Sequence, residues 1–393
     1  MRRMIRRVLG LALSGSLLLG CTGGAAAQGV FTREMTERSY VSAGNTQRLH
    51  RAIDKARAGE KVTIAYIGGS ITEGLYAEMR ETQCYAALSA QIFADKYMPD
   101  AQQLVYVNAG ISGTPSLLGV MRCAADVIAK APDVVFVEFA VNDASDADAH
   151  MAYESLVRKL LKSESEPAVI LLFTILKNGY TAQAHMQKIG AHYDLGMISV
   201  GDALTPTFKD GSLTWEDYSP DESHPGTAGH AFVAGLIGHY FDRAQETAPQ
   251  EYALPDAPVY SAALEPLDNI RKGDPAIAGE GSFPSAAVKC YTYRQGWRHW
   301  GDRGAGKEPL SLRVDAAYMT LVFMQQNNKK FGTAEVYIDG ALRDTMSGHD
   351  EKAWGNPVTR LYELGEGTHM VEIRMAEGEE DRDFILLDIG AAK

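Results

Sequence analysis

The sequence predicts two folded domains, a doubly wound α/β domain built on a parallel sheet and then a β-sandwich. A chain of 393 residues is long for one domain and sufficient for two. Five short apolar runs alternate with helical patterns up to about residue 200. Strand-like runs and turn signals then follow a stretch in which prolines break the helical pattern, at Pro249, Pro255, Pro258 and Pro266.

The first domain is expected to cover residues 46–250. Its predicted strands are apolar throughout, as strands covered on both faces of a parallel sheet are, and comprise 62–67, 104–108, 134–139, 169–173 and 197–200. Apolar residues at three and four spacing predict the helices between them, at 85–93, 117–129, 151–161 and 182–193. A last amphipathic helix over about 227–245 would close this domain.

The second domain is expected to cover residues 251–393. Strand patterning is clearest at 319–324, 334–338 and 370–375. Pairs of turn-forming residues separate these runs, at Asn327-Asn328, Asp339-Gly340 and Glu366-Gly367. Consecutive short strands joined by such turns predict a β-sandwich.

The first residues are typical of an export signal. Residues 1–20 place four arginines before an apolar stretch that is too short to span a bilayer. They end at Leu18-Leu19-Gly20-Cys21, which resembles a bacterial lipobox, so Cys21 is a candidate lipidation site and 21–45 a tether. Plain secretion, with cleavage after Ala25-Ala26-Ala27, is the alternative. Either route predicts a secreted or cell-surface protein.

The net charge and the cysteines argue against several kinds of partner and site. A formal charge of −12 argues against nucleic acid as a partner. Contact with a membrane is expected only through the lipid at Cys21. The other cysteines, Cys84, Cys123 and Cys290, lack metal-ligand spacing and are expected to be partly buried thiols, with a Cys84–Cys123 disulfide as the alternative.

Three polar elements follow predicted strands, at the edge of a parallel sheet where active groups collect. Ser70 stands in the glycine-rich turn after the first strand, where its side chain could attack a substrate and its N–H could face a developing negative charge. Gly113 follows the second strand and Asn142 the third. A backbone N–H from Gly113 and the amide of Asn142 would complete an oxyanion hole with Ser70.

A base must accompany the serine, and His224 is the candidate. Pro225 favours an extended conformation for His224, and the closing helix begins directly afterwards. Asp221, three residues earlier, favours the charged imidazole, whereas the helix N-terminus disfavours it. Together they suit a base that gains and loses a proton near neutrality.

These elements, in this order, resemble the SGNH (GDSL-like) hydrolase superfamily. Ser70, Gly113, Asn142 and the Asp221/His224 pair match its four blocks, whereas Gly69 replaces the usual aspartate and Ala140 a glycine. The resemblance covers about residues 60–245. It implies a flavodoxin-like fold and a carboxylic ester hydrolase with Ser70 as nucleophile, His224 as base and Asp221 as orienting acid. It implies no metal and no cofactor.

Other polar residues near these blocks have structural interpretations. Glu138, inside the third strand, is expected to be a hydrogen-bonded structural carboxylate, because an unpaired buried charge is costly. His230, on the closing helix, is expected to be packed or capping. For Asp143, a helix cap and a pocket-lining role both remain open.

The second domain indicates the substrate. An SGNH domain followed by a jelly-roll-like module resembles two-domain bacterial carbohydrate O-acetyl esterases, which implies deacetylation of a polysaccharide such as mannan or xylan. Aromatic rings stack on sugars, so Trp297, Trp300 and Trp354 are candidate binding residues, with burial in the sandwich core as their alternative. The competing functions are a peptidoglycan O-acetyl esterase, a general short-chain carboxylesterase and a non-catalytic glycan-binding lipoprotein.

Overall fold

The structure, a computed structural model, describes residues 31–303 and 306–393. The predicted signal peptide, the lipobox with Cys21 and the first part of the tether lie outside these residues. None of the described helices is long and apolar enough to cross a membrane.

The first domain alternates helices and strands. Its strands are β1 (Tyr40–Ser42), β2 (Val62–Gly68), β3 (Leu104–Gly110), β4 (Val134–Glu138), β5 (Ala168–Phe173) and β6 (Gly196–Ser199). Its helices are α1 (Arg33–Arg38), α2 (Gln47–Arg57), α3 (Ser70–Glu73), α4 (Arg80–Gln83), α5 (Tyr85–Tyr97), α6 (Ser116–Asp126), α7 (Ala147–Leu161), α8 (Gln183–His192), α9 (Val200–Asp210), α10 (Trp215–Tyr218) and α11 (Thr227–Glu246).

These strands form one sheet in the order β1-β6-β5-β4-β2-β3. All neighbours are parallel except β1, which runs antiparallel to β6 at the edge. Without β1, the strands follow the flavodoxin-like order, in which the chain reverses its direction of travel between β2 and β4. Ligands of such sheets bind at this reversal, beyond the carboxyl ends of the strands.

Each central strand is apolar on both faces because helices cover both. Ile64 and Tyr66 of β2 pack in one core with α2, α5 and α11. Ala65 and Ile67 pack in another with α6, α7 and α8. The continuous apolar runs of the sequence therefore have a direct cause, and the predicted doubly wound parallel sheet is confirmed.

The second domain consists of antiparallel strands in two sheets, as predicted. The strands are β7 (Asp268–Ile270), β8 (Ile277–Gly279), β9 (Ser285–Cys290), β10 (Tyr293–His299), β11 (Leu310–Asp315), β12 (Tyr318–Gln326), β13 (Thr333–Ile338), β14 (Ala341–Ser347), β15 (Trp354–Glu363), β16 (Thr368–Met375) and β17 (Phe384–Ala392). One sheet has the order β15-β12-β17-β10-β9, with β7 beside β17, and the other β14-β13-β16-β11-β8.

The first of these sheets is buried on both faces. Leu321 and Phe323 of β12 lie in the core between the two sheets. Val322 and Met324 lie in the same apolar cluster as residues of α7 and β5. The sandwich therefore packs against the hydrolase domain through the outer face of this sheet.

Hydrogen bonds and ion pairs also fix the segment between the domains to the hydrolase domain. The buried carboxylate of Glu154, on α7, accepts the backbone N–H groups of Val259, Tyr260 and Ser261 at 2.6–3.1 Å. Glu265 bridges Arg158 and Lys162 of the same helix. A carboxylate with several donors is satisfied despite its burial, so this contact fixes the connection between the domains.

Candidate active site

Ser70 lies at the point where the sheet order reverses. It is the first residue of α3, directly after β2, and 7% of its surface is exposed. As the first helical residue, it has an N–H that no carbonyl of its own helix can accept. Gly68 and Gly69 allow this tight turn, since a Cβ at Gly68 would lie 2.1 Å from Thr72 Oγ1. The Oγ and the N–H of Ser70 thus both lie at the carboxyl end of the sheet.

The structure brings the three predicted triad residues into contact. Ser70 Oγ lies 2.7 Å from His224 Nε2. His224 Nδ1 lies 2.7 Å from Asp221 Oδ2. With a proton on Nδ1 donated to Asp221, Nε2 is free to accept the proton of Ser70. This order of atoms is that of a serine nucleophile with its base and orienting acid.

The loop before α11 holds Asp221 in place. Asp221 Oδ1 accepts the backbone N–H groups of His224 and Ser223, at 2.6 and 2.8 Å. Burial opposes ionisation of Asp221, but these hydrogen bonds and the imidazole outweigh it and lower its pKa below the ordinary value. Asp221 is therefore ionised at neutral pH and can stabilise an imidazolium.

Two further side chains stabilise this loop. The Ser219 hydroxyl lies 2.6 Å from the His224 carbonyl oxygen and 2.8 Å from that of Asp221. Trp215 Nε1 donates to the same Asp221 carbonyl. These contacts fix the backbone on which the acid and the base stand. The sequence shows Ser219 and Trp215 only as neighbours of the motif, without a signal for this role.

The predicted oxyanion donors Gly113 and Asn142 stand on two segments that contact the helix of Ser70 and the turn before it. Gly113 has a φ of +71°, which a residue with a side chain rarely adopts. The Asn142 side chain packs on Gly69, the residue before the nucleophile: a Cβ there would lie 2.3 Å from Asn142 Oδ1 and 3.1 Å from Nδ2. Gly69 is therefore required here, because the amide occupies the space that a side chain at position 69 would need.

Trp354 brings the sandwich to this site. Its side chain lies over Gly113, so that a Cβ at position 113 would be 3.1 Å from Trp354 Cη2. The ring is nevertheless 59% exposed, and its Nε1 donates to the Tyr291 hydroxyl at 3.2 Å. An exposed aromatic surface beside a predicted oxyanion donor is suited to stacking on a sugar.

The other two candidate tryptophans do not share this position. Trp297 is 4% exposed and belongs to the core between the two sheets, so its predicted role in substrate binding is wrong. Trp300 follows the opposite end of β10 from Tyr291 and lies beside the Arg298 guanidinium, 5.3 Å from its carbon. The length of that strand separates Trp300 from the Trp354 contact by roughly 20 Å.

Tyr76 is a site residue that the sequence does not reveal. Its ring centroid lies 5.7 Å from that of His224, and the side chain is 51% exposed. Its φ of +66° is rare for a residue with a side chain and costs about 1–2 kcal/mol. Strain of this kind persists where the surrounding structure imposes it, often at functional sites. Tyr76 and Trp354 are thus two exposed rings beside the triad and the oxyanion loop.

The buried polar residues near the site have structural partners. Glu138 accepts the hydroxyls of Thr72 and Thr174, and burial raises its pKa. His230 contacts the Tyr85 N–H and the Leu75 carbonyl, as a packed histidine does. The structural interpretations of both residues are therefore correct.

Of the two roles that the sequence left open for Asp143, the structure shows the helix cap. Its Oδ1 accepts the Ser116 N–H at the start of α6, at 2.7 Å. Burial raises the pKa of Asp143 to about 7. The residue is 2% exposed, which leaves it no surface toward a ligand.

The described residues contain neither a disulfide nor a cluster of metal ligands. Cys84, Cys123 and Cys290 are buried free thiols, so the alternative Cys84–Cys123 disulfide is absent. Among residues 31–303 and 306–393, no group of three His, Cys, Asp or Glu side chains is arranged to hold a metal ion.

Known proteins share this architecture. Residues 66–232 match the GDSL-like lipase/acylhydrolase family. The whole structure resembles a two-domain esterase (CEX) active on acetylated mannans, solved alone and co-crystallised with mannopentaose. Each comparison gives a TM-score of 0.81 and 28% identity over 91% of this chain and 98% of that one. A search of curated proteins gives no match. The chain thus contains a GDSL-like acylhydrolase domain and is a carboxylic ester hydrolase of two domains.

Proposed function

We propose that this protein removes O-acetyl groups from a polysaccharide, with acetylated mannan as the preferred substrate class. The likeness to an esterase active on acetylated mannans carries this proposal, because it extends over both domains. The contact of Trp354 with Gly113 supports it, since it gives the second domain a surface at the reacting centre. Xylan is the other polymer that the sequence suggests.

The geometry supports acyl transfer through Ser70. His224 Nε2 takes the Ser70 proton as Oγ attacks the acetyl carbonyl carbon. The oxyanion that forms accepts hydrogen bonds from the N–H groups of Ser70 and Gly113 and from the Asn142 amide. The bond between the acetyl carbon and the sugar oxygen then breaks, and His224 gives its proton to the departing oxygen, which becomes a sugar hydroxyl.

Water completes the cycle. His224 removes a proton from a water molecule, which attacks the acetyl group on Ser70. Collapse of the second oxyanion releases acetate, and the proton returns from His224 to Ser70 Oγ. Asp221 holds the imidazole in one tautomer throughout and stabilises its charged form.

Acetate release across a set of acetylated glycans tests the proposal. The set should contain mannan and xylan oligosaccharides and O-acetylated muropeptides, with p-nitrophenyl acetate as a sugar-free reference. We expect turnover to be fastest on mannan and abolished in Ser70→Ala. Release from muropeptides alone would indicate a peptidoglycan esterase, and release from p-nitrophenyl acetate alone a general carboxylesterase. Glycan binding without any hydrolysis would indicate a non-catalytic lipoprotein.

Point variants are better than truncation for testing the sandwich. The apolar cluster shared by β12, β5 and α7 would be exposed in a chain that ends near residue 250. Trp354→Ala removes the ring beside Gly113 without exposing that cluster. We expect it to raise KM for acetylated manno-oligosaccharides about 10-fold. Trp300→Ala, at the far end of β10, serves as the control and should leave KM unchanged.

We also propose that the protein is exported and anchored by a lipid on Cys21. The arginine-rich start, the apolar stretch and the lipobox-like residues support this. In bacterial cells, labelled palmitate should enter the wild type and not Cys21→Ala. Release of unlabelled wild-type protein into the medium would instead favour plain secretion.

A further inference from the structure

The loop that carries Gly113 is held first by the helix that carries the nucleophile. Glu73, the last residue of α3, accepts both the backbone N–H and the hydroxyl of Ser112 through Oε2, at 2.9 and 2.5 Å. Its other oxygen bonds Arg80 at 2.9 Å. Because Ser70 begins the same helix, the nucleophile and the residue before Gly113 share one short rigid connection.

The sandwich holds the same loop from the other side. Tyr291, in the turn between β9 and β10, lies beside Ser112. The Tyr291 hydroxyl accepts Trp354 Nε1–H at 3.2 Å, and the Trp354 ring covers Gly113. Tyr291 has a φ of +47°, a strained conformation that places its side chain at this contact.

Proton counting fixes the direction of two hydrogen bonds. The Glu73 carboxylate can only accept, so the single Ser112 hydroxyl proton goes to it. The indole of Trp354 can only donate, so the Tyr291 hydroxyl accepts from it. Ser112 is thus fixed to the hydrolase domain, and the ring that covers Gly113 is fixed to the sandwich.

We propose that Tyr291 and Ser112 are positioning residues for the oxyanion hole, through which the sandwich supports acyl transfer itself as well as sugar binding. They hold the Gly113 N–H where the oxyanion forms. An oxyanion donor is effective only within a few tenths of an ångström of its place, so a loosened loop lowers kcat. The inference rests on the esterase chemistry above and is independent of which glycan is the substrate.

Hydrolysis of p-nitrophenyl acetate tests this, because that ester has no sugar for the sandwich to bind. Tyr291→Phe and Ser112→Ala should each lower kcat about 10-fold and change KM less than about twofold. The double variant should be no slower than the slower single variant, because both substitutions loosen the same loop. Tyr293→Phe is the matched control and should keep the wild-type kcat, since its buried hydroxyl has no described partner.

Other outcomes would overturn the inference. A wild-type kcat on p-nitrophenyl acetate in both single variants, with KM raised only for acetylated manno-oligosaccharides, would leave Tyr291 a sugar-binding residue. Additive losses in the double variant would show that the two residues act separately. Thermal unfolding of each variant within a few degrees of the wild type excludes misfolding, and Ser112→Ala gives the test if Tyr291→Phe fails to fold. A wild type that cleaves p-nitrophenyl acetate but no glycan would refute the proposed substrate alone.

Discussion

Trp354 of the sandwich lies on Gly113 of the hydrolase domain, so close that a Cβ on the glycine would be 3.1 Å from the indole ring. Gly113 also has a φ of +71°. One backbone position therefore combines a left-handed conformation, a predicted oxyanion donor and the contact between the domains. Substitutions there and around it should therefore affect both catalysis and stability.

Gly113→Ala should lose activity as well as stability. The left-handed conformation alone should cost about 1–2 kcal/mol of the free energy of unfolding. The methyl group would in addition push against Trp354 and displace the N–H, so we expect kcat on p-nitrophenyl acetate to fall at least about 10-fold. Gly211→Ala is the control, because Gly211 has a φ of +76° and open space around its Cβ position. An equal loss of kcat in both variants would contradict the account.

Gly69→Ala should impair catalysis because of Asn142. The new Cβ would lie 2.3 Å from Asn142 Oδ1, so the amide must move away from the oxyanion. We expect kcat to fall about 10²-fold, the range for loss of one oxyanion donor, with the fold retained. Gly235→Ala, in helix α11 with open space around it, should keep full activity and gain about 0.5–1 kcal/mol of stability. Full activity in Gly69→Ala would show that Asn142 takes no part.

Asp221→Asn should show the orienting role of the carboxylate. The amide cannot stabilise the imidazolium and favours the wrong tautomer, so kcat should fall about 10³- to 10⁴-fold while the protein stays folded. Glu222→Gln removes the same charge from the next residue and should leave kcat near the wild-type value. Steady-state rates of both variants on p-nitrophenyl acetate measure this difference. If kcat of Asp221→Asn fell by less than about 10-fold, Asp221 would not be the acid of the triad.

His230 should make the protein less stable in acid. Burial lowers its pKa from 6.5 to about 4, so below pH 6.5 the unfolded chain takes up a proton that the folded one does not. His230 therefore has no such effect above pH 6.5, and near pH 4 it lowers the free energy of unfolding by about 3 kcal/mol. Asp143, with its raised pKa, acts in the opposite sense, so the whole-protein curve understates the effect of His230.

Urea unfolding of His230→Gln isolates that contribution. The difference in unfolding free energy between wild type and variant should shrink as the pH falls from 7 to 4. A difference that stays constant over this range would show that His230 titrates normally in the folded protein. Asp143→Asn is the matched variant, and its difference from the wild type should change in the opposite direction.

The sequence allowed the nucleophile and the candidate oxyanion donors to be predicted because these residues follow the strands. Ser70, Gly113 and Asn142 each come directly after an apolar run, and parallel strands bring their ends together. The sandwich residues were harder to assign. Both Trp297 and Trp354 lie on strands of the same sheet, and only the register decides that the first enters the core and the second reaches Gly113. Tyr76 was missed because its position depends on a left-handed conformation at a residue that is not a glycine.

The central claim is that Ser70 releases acetate from a glycan at the junction of the two domains. Acetate release from acetylated manno-oligosaccharides, measured for the wild type and Ser70→Ala under the same conditions, tests it most directly. The account predicts many turnovers for the wild type and a rate at least about 10⁴-fold lower for Ser70→Ala. Equal acetate release by both proteins, or none by a wild type that cleaves p-nitrophenyl acetate, would contradict it.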